Sequence, residues 1–133
     1  MDEVWDLQSI FAAVKKLLEK HAGGLDDRDT IIGSKATTGK SASHLYGKKA
    51  VSIAGRKARP TYICGIILQK HFVGFCHMPI YSHSQEFTRS PELQRMKKGK
   101  SCINITHLNS ALSDELDALI GRGIRLYQEE GWV

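Results

Sequence analysis

Residues 61–81, TYICGIILQKHFVGFCHMPIY, form the one long run of this chain in which apolar, β-branched and aromatic side chains dominate. Gln69, Lys70 and His71 interrupt it and leave two pieces of strand length, a pattern that predicts a central antiparallel hairpin. Alternation sets Tyr62, Cys64, Ile66 and Leu68 on one face and Ile63, Gly65 and Ile67 on the other. On the second strand Phe72, Gly74, Cys76 and Met78 oppose Val73, Phe75 and His77. Both faces are largely apolar, so both need cover, one from helices and the other from a partner or a ligand. Pro79 has no N–H to give a ladder and is expected to end the second strand.

Around this hairpin the chain alternates between helical and extended patterns. Leu7, Ile10, Phe11, Val14, Leu17 and Leu18 recur at helical spacing behind an Asp6 cap, and Gly23-Gly24 closes that helix near Lys20. Residues 25–43 are polar, with a brief edge strand expected at 30–32. Val51 and Ile53 mark a short strand over 50–54, followed by the basic turn Gly55-Arg56-Lys57. Residues 82–84 read as a loop. Residues 90–98 predict a short helix, with Ser90 as cap, Pro91 in its first turn and Leu93 and Met96 facing inward. Cys102, Ile103 and Ile105 begin another strand. A final helix is expected from Ser113, with the stripe Leu116, Leu119, Ile120, Ile124 and Tyr127. This order predicts an α+β domain, an antiparallel β-sheet packed against N-terminal and C-terminal helices. At 133 residues the chain has the length of one domain, residues 1–133.

Charge narrows the partners without naming one. The formal net charge is +5, and its source is internal. No carboxylate occurs between Asp29 and Glu86, whereas Lys35, Lys40, Lys48, Lys49, Arg56, Lys57, Arg59 and Lys70 all fall there. Such a balance favours a small anionic ligand or an acidic protein surface. No helix-turn-helix, zinc pattern or RNA-binding aromatic motif accompanies it, so specific nucleic-acid binding is not expected. The acidic start, with Asp2, Glu3 and Asp6, differs from the basic opening of a signal peptide, and no run approaches a membrane span. Three cysteines without close pair spacing fit free thiols in a reducing cytoplasm.

Three segments together, His77-Met78-Pro79-Ile80-Tyr81, Ser90-Pro91-Glu92-Leu93 and Gly99-Lys100-Ser101-Cys102-Ile103-Asn104, followed by the terminal helix, resemble the DUF1801 (YdhG-like) family of small domains. The likeness extends from the first helix to Gly131. It implies a YdhG-like α+β fold with terminal helices against a curved sheet. One branch of the family is described as frataxin-like iron chaperones, which makes intracellular iron binding the alternative function and iron the alternative cofactor. The resemblance carries no catalytic set onto these positions.

The residues themselves offer several candidate sites. Gly39-Lys40-Ser41 falls short of a Walker A loop, because the first glycine of that motif would stand at Ser34 and Gly33 comes one residue too early. His77 and His83 are the candidate metal ligands, although the middle of the chain lacks the carboxylates that hard iron ions prefer. Cys102, beside Lys100, is the cysteine best placed to ionise, but no Cys/His/acid set can be assembled from spacing and no catalytic residue is assigned. The preferred site is a tight basic turn, Lys97, Lys98, Gly99, Lys100 and Ser101, reaching His77 and Tyr81. Convergent donors there predict non-catalytic binding of an anion, with no cofactor.

Overall fold

The computed structural model describes residues 3–33 and 39–133; Asp2, Ser34 and Lys35, used above on sequence grounds, lie outside them. The first helix, α1 (Leu7–Lys20), starts where Asp6 accepts the Ser9 N–H at 3.1 Å, and it buries Ile10, Val14 and Leu18. The last, α4 (Ser110–Glu129), begins three residues earlier than expected. Asn109, whose side chain accepts the Leu112 N–H at 2.9 Å, is the cap in place of a residue near Ser113. The two helices are tied near the end of α1, where Lys20 Nζ and His21 Nε2 meet the Asp117 carboxylate at 2.7 and 2.6 Å.

Between the helices lies a six-stranded sheet: β1 (Asp26–Arg28), β2 (Ala42–Val51), β3 (Arg59–Leu68), β4 (Val73–His77), β5 (Lys97–Lys98) and β6 (Cys102–Ile105). All neighbours are antiparallel and the spatial order is β1-β2-β3-β4-β6-β5. The expected hairpin is therefore β3–β4, at the centre. Its register sets Cys64 opposite His77, Ile66 opposite Phe75 and Leu68 opposite Val73, and β6 continues the row with Ile103 and Ile105. That face packs against both long helices. Phe75, Ile66, Ile103, Ile10, Leu18 and Leu116 are all buried in one cluster. The mixed α+β plan, with an antiparallel sheet and helices from both ends of the chain, is thus as expected.

Local departures have identifiable causes. Leu45 faces Cys64 and Tyr46 faces Tyr62, which leaves Ile63 without a partner of its own. This β-bulge turns Ile63 and Cys64 both into the core and sends Tyr62 to the opposite face, so plain alternation fails there. The edge strand is Asp26–Arg28, not residues 30–32. Ile32 instead donates its N–H to the Tyr46 hydroxyl at 2.9 Å. Of the strand expected over 50–54, Ala50 and Val51 are the end of the ten-residue β2, which begins in sequence that reads as polar loop, and residues 52–54 belong to the turn that follows. The second hairpin strand stops at His77. Met78–Ser82 is a short helix, α2, with Pro79 in its first turn, followed by a 3-10 turn at Ser84–Glu86. Helix α3 (Pro91–Arg95) starts as the sequence reading has it, with Ser90 Oγ accepting the Leu93 N–H at 3.1 Å and Leu93 buried. It ends at Arg95 and not at Lys98, because Lys97 and Lys98 pair with Ile103 and Cys102 as strand β5. No described helix is long and apolar enough to cross a membrane.

Candidate functional site

Antiparallel register brings two basic turns to one end of the sheet. Strand β3 starts at Arg59, β4 ends at His77 and β6 starts at Cys102, so the β2–β3 turn, α2 and the β5–β6 turn all leave the sheet at the same end. Arg56 and Lys57 are exposed on the first turn, and Lys48, Lys49 and Arg59 are exposed on the strand ends that lead into it; Lys98, at the end of β5, and Lys100 are exposed at the second, with Lys97 and Ser101 half-buried. Gly99 takes a φ of 70°, the left-handed conformation that the tight β5–β6 turn requires. The β2–β3 turn is held by the Arg56 N–H on the Ile53 carbonyl at 3.1 Å, and Ala54 there also has a positive φ, 55°.

Tyr81 belongs to this end by contact as well as by topology. It is 52% exposed on α2, and Lys100 Nζ sits 5.5 Å from its ring centroid, within cation–π range. The position of Tyr81 depends on His77, which caps α2. His77 Nδ1 accepts the Ile80 N–H at 3.2 Å, and Nε2–H donates to the Leu119 carbonyl at 2.6 Å. Both ring nitrogens are thereby engaged and the residue is wholly buried; burial pushes its pKa down to about 4. His77 is thus placed in the core with α4, not beside Tyr81 at the surface as the sequence grouping had it. It orders the helix that carries Tyr81 and has no nitrogen left for a ligand.

The two candidate metal ligands are likewise used separately. His83 Nδ1 pairs with Ser82 Oγ at 2.9 Å, and its Nε2 lies 3.4 Å from Glu130. Among the described residues no group of three or more His, Cys, Asp or Glu side chains is arranged to hold a metal ion. Lys40, of the incomplete phosphate-loop pattern, donates to Gln69 at 3.0 Å in the β3–β4 turn. A polar cavity of about 640 Å³ lies away from the basic end, lined by Lys15, Ala42, Ser43 and residues 26–30.

The structure also joins residues that sequence reading kept apart. Cys76 and Cys102 stand directly opposite each other on β4 and β6, with their sulfur atoms 2.7 Å apart. The only sequence signal was that each cysteine lies in or beside a strand pattern; the pairing of those strands, 26 positions apart, could not be read. On the same face His44 Nδ1 meets the Tyr62 hydroxyl at 2.9 Å, and the His44 Nε2 has no hydrogen-bond partner among the described residues. No family model, curated protein or solved structure matches the chain.

Proposed function

We propose that this protein is a non-catalytic binding domain whose basic end docks an acidic surface of a partner protein. The observation that carries the reading is that the β2–β3 and β5–β6 turns leave the sheet at the same end, the second of them with Lys100 over the exposed Tyr81. These lysines and arginines stand on the two turns and on the strand ends beside them, in place of lining an enclosed cavity. An extended anionic surface therefore suits them better than a small anion, which needs convergent donors in a concavity. Lys100 stacked on Tyr81 supplies one fixed charge with an apolar neighbour, as at protein interfaces, where aromatic side chains are enriched. A place within the DUF1801 (YdhG-like) family is part of the same proposal. It is supported by the MPIY, SPEL and GKSC segments and by a long helix at each end of an antiparallel sheet. We place the domain in the cytoplasm, where its three uncombined thiols are the ordinary state.

The test is a titration with a glutamate-rich peptide, with citrate and inorganic phosphate as small anions, followed by amide shifts. The peptide is expected to move signals at 81 and 97–101 and at the β2–β3 turn. Its affinity should fall as salt rises, because exposed charges are screened within about 8 Å at 0.15 M. Lys98→Ala with Lys100→Ala should weaken it at least about tenfold, equivalent to about 1.4 kcal/mol, while unfolding stays within about 0.5 kcal/mol of the wild type. Shifts produced by citrate or phosphate but not by the peptide would reverse the choice of ligand. An unresponsive basic end would end the proposal.

A further inference from the structure

We propose that Cys76 and Cys102 form a reversible dithiol–disulfide site that exchanges with small-molecule disulfides at the face of the sheet opposite the long helices. The argument begins with register. The His77 N–H donates to the Ser101 carbonyl at 2.7 Å, so residues 77 and 101 are a hydrogen-bonded pair of the β4–β6 ladder. Cys76 and Cys102 occupy the next place, a non-hydrogen-bonded pair, where Cα atoms approach to about 4.5 Å. That spacing lies within the roughly 4.4–6.8 Å spanned by disulfides, so a bond needs no movement of either strand. Both side chains are already turned toward each other and both are half-exposed, whereas Cys64 is sealed in the core.

The two thiols are not equivalent. Cys76 hydrogen-bonds to the Cys102 sulfur, which holds the Cys102 thiol down to about 6 and pushes that of Cys76 up. Ser101 Oγ, 3.8 Å away, adds a second donor to Cys102, and Lys98 stands directly opposite it on β5. Cys102 is therefore the attacking group. Its thiolate displaces one thiolate from a small disulfide and forms a mixed disulfide. Cys76 then gives up its proton and attacks the Cys102 sulfur, expelling the second thiolate. Two protein thiols lose two electrons, the small disulfide gains them, and the two released thiolates take up protons according to their own pKa values.

The experiment exposes the intact protein to glutathione disulfide, blocks remaining thiols with iodoacetamide and maps the linked peptides without reduction. A Cys76–Cys102 link is expected, undone by excess reduced glutathione, with Cys64 alkylated only after unfolding. Before oxidation, iodoacetamide should modify Cys102 at least about tenfold faster than Cys64. Cys76→Ser should stop at a glutathione adduct on Cys102, and Cys102→Ser should give neither product. A wild-type protein that keeps a stable adduct on Cys102, links two chains, or retains both thiols unmodified would overturn the proposal. That mapping decides the matter even if a serine variant fails to fold.

Discussion

The two faces of the sheet bury polar groups on different terms. On the face beneath α1 and α4, the polar side chain that reaches the centre is His77, and both of its nitrogens are hydrogen-bonded among Ile80, Leu119 and the surrounding apolar cluster. On the opposite face His44 is equally buried but uses one nitrogen, on Tyr62, and two thiols lean on each other nearby. A satisfied polar group in an apolar layer is a structural part. One with unused hydrogen-bonding capacity, or a thiol with a proton to lose, remains chemically available. The helix-covered face accounts for the stability of this domain, and the other face retains reactive groups.

The sharpest way to break that contrast is Phe75→Ala. Phe75 is fully buried at the middle of the helix-covered face, and its truncation should cost about 3–5 kcal/mol in denaturant unfolding. A loss under about 1 kcal/mol would show that this face is not the one that stabilises the domain.

Acid should act next. The folded His77 has its pKa lowered to about 4 from an ordinary 6.5, so between those values the unfolded chain binds the proton that the folded one refuses. The stabilisation is complete above pH 6.5 and is lost as pH falls toward 4, by roughly 3 kcal/mol. His44, whose pKa burial also lowers, contributes in the same direction. Asp117, held below its ordinary value by Lys20 and His21, acts only at still lower pH. His77→Gln should lower stability at pH 7 yet flatten the pH 6.5–4 slope; an unchanged slope would move the acid sensitivity to the other face.

Two glycines give the smallest and most direct comparison. A Cβ on Gly123 would lie 2.7 Å from His77 Nε2 and 2.8 Å from Pro79 Cγ, while one on Gly65 would lie 2.7 Å from the Ser43 carbonyl and 2.6 Å from the Tyr62 hydroxyl. Each alanine variant should lose about 1–3 kcal/mol. Gly65→Ala belongs at the upper end, because backbone cannot swing aside. If its denaturation midpoint matched the wild type, the face opposite the helices would be looser than its burial implies.

Legibility followed how strongly each segment's own residues dictated its state. Helix α1 was readable to the residue because a cap, an apolar stripe and two glycines all agree. Strand β2 was not, since Ser43, His44, Gly47, Lys48 and Lys49 look like loop, and it is the neighbouring strands that make them sheet. Residues 78–81 were read as strand and strand end because the apolar run continues through them, and Ser82 as loop; His77 capping and Pro79 turn Met78–Ser82 helical. At the candidate site the basic turn was visible as a sequence cluster, and Lys100 does lie over Tyr81. The burial of His77 was not visible, because it depends on Gly123 leaving room from 46 residues away. The cysteine pair depends on a strand order in which β6, not β5, lies beside β4.

The bulge at Ile63 has a consequence for how this chain can change in length. Cys64 already faces Leu45 and Tyr62 already faces Tyr46, so removing Ile63 would make these two pairs consecutive and keep the flanking side chains on their present sides, with the second register shift, between Tyr46 and Ala50, untouched. Losing one residue from 64–68 would turn half of the strand over and bring polar groups under the helices. Among sequences descended from a common ancestor with this one, a single-residue gap in β3 therefore belongs at Ile63, and the fold would carry it at the cost of one buried side chain.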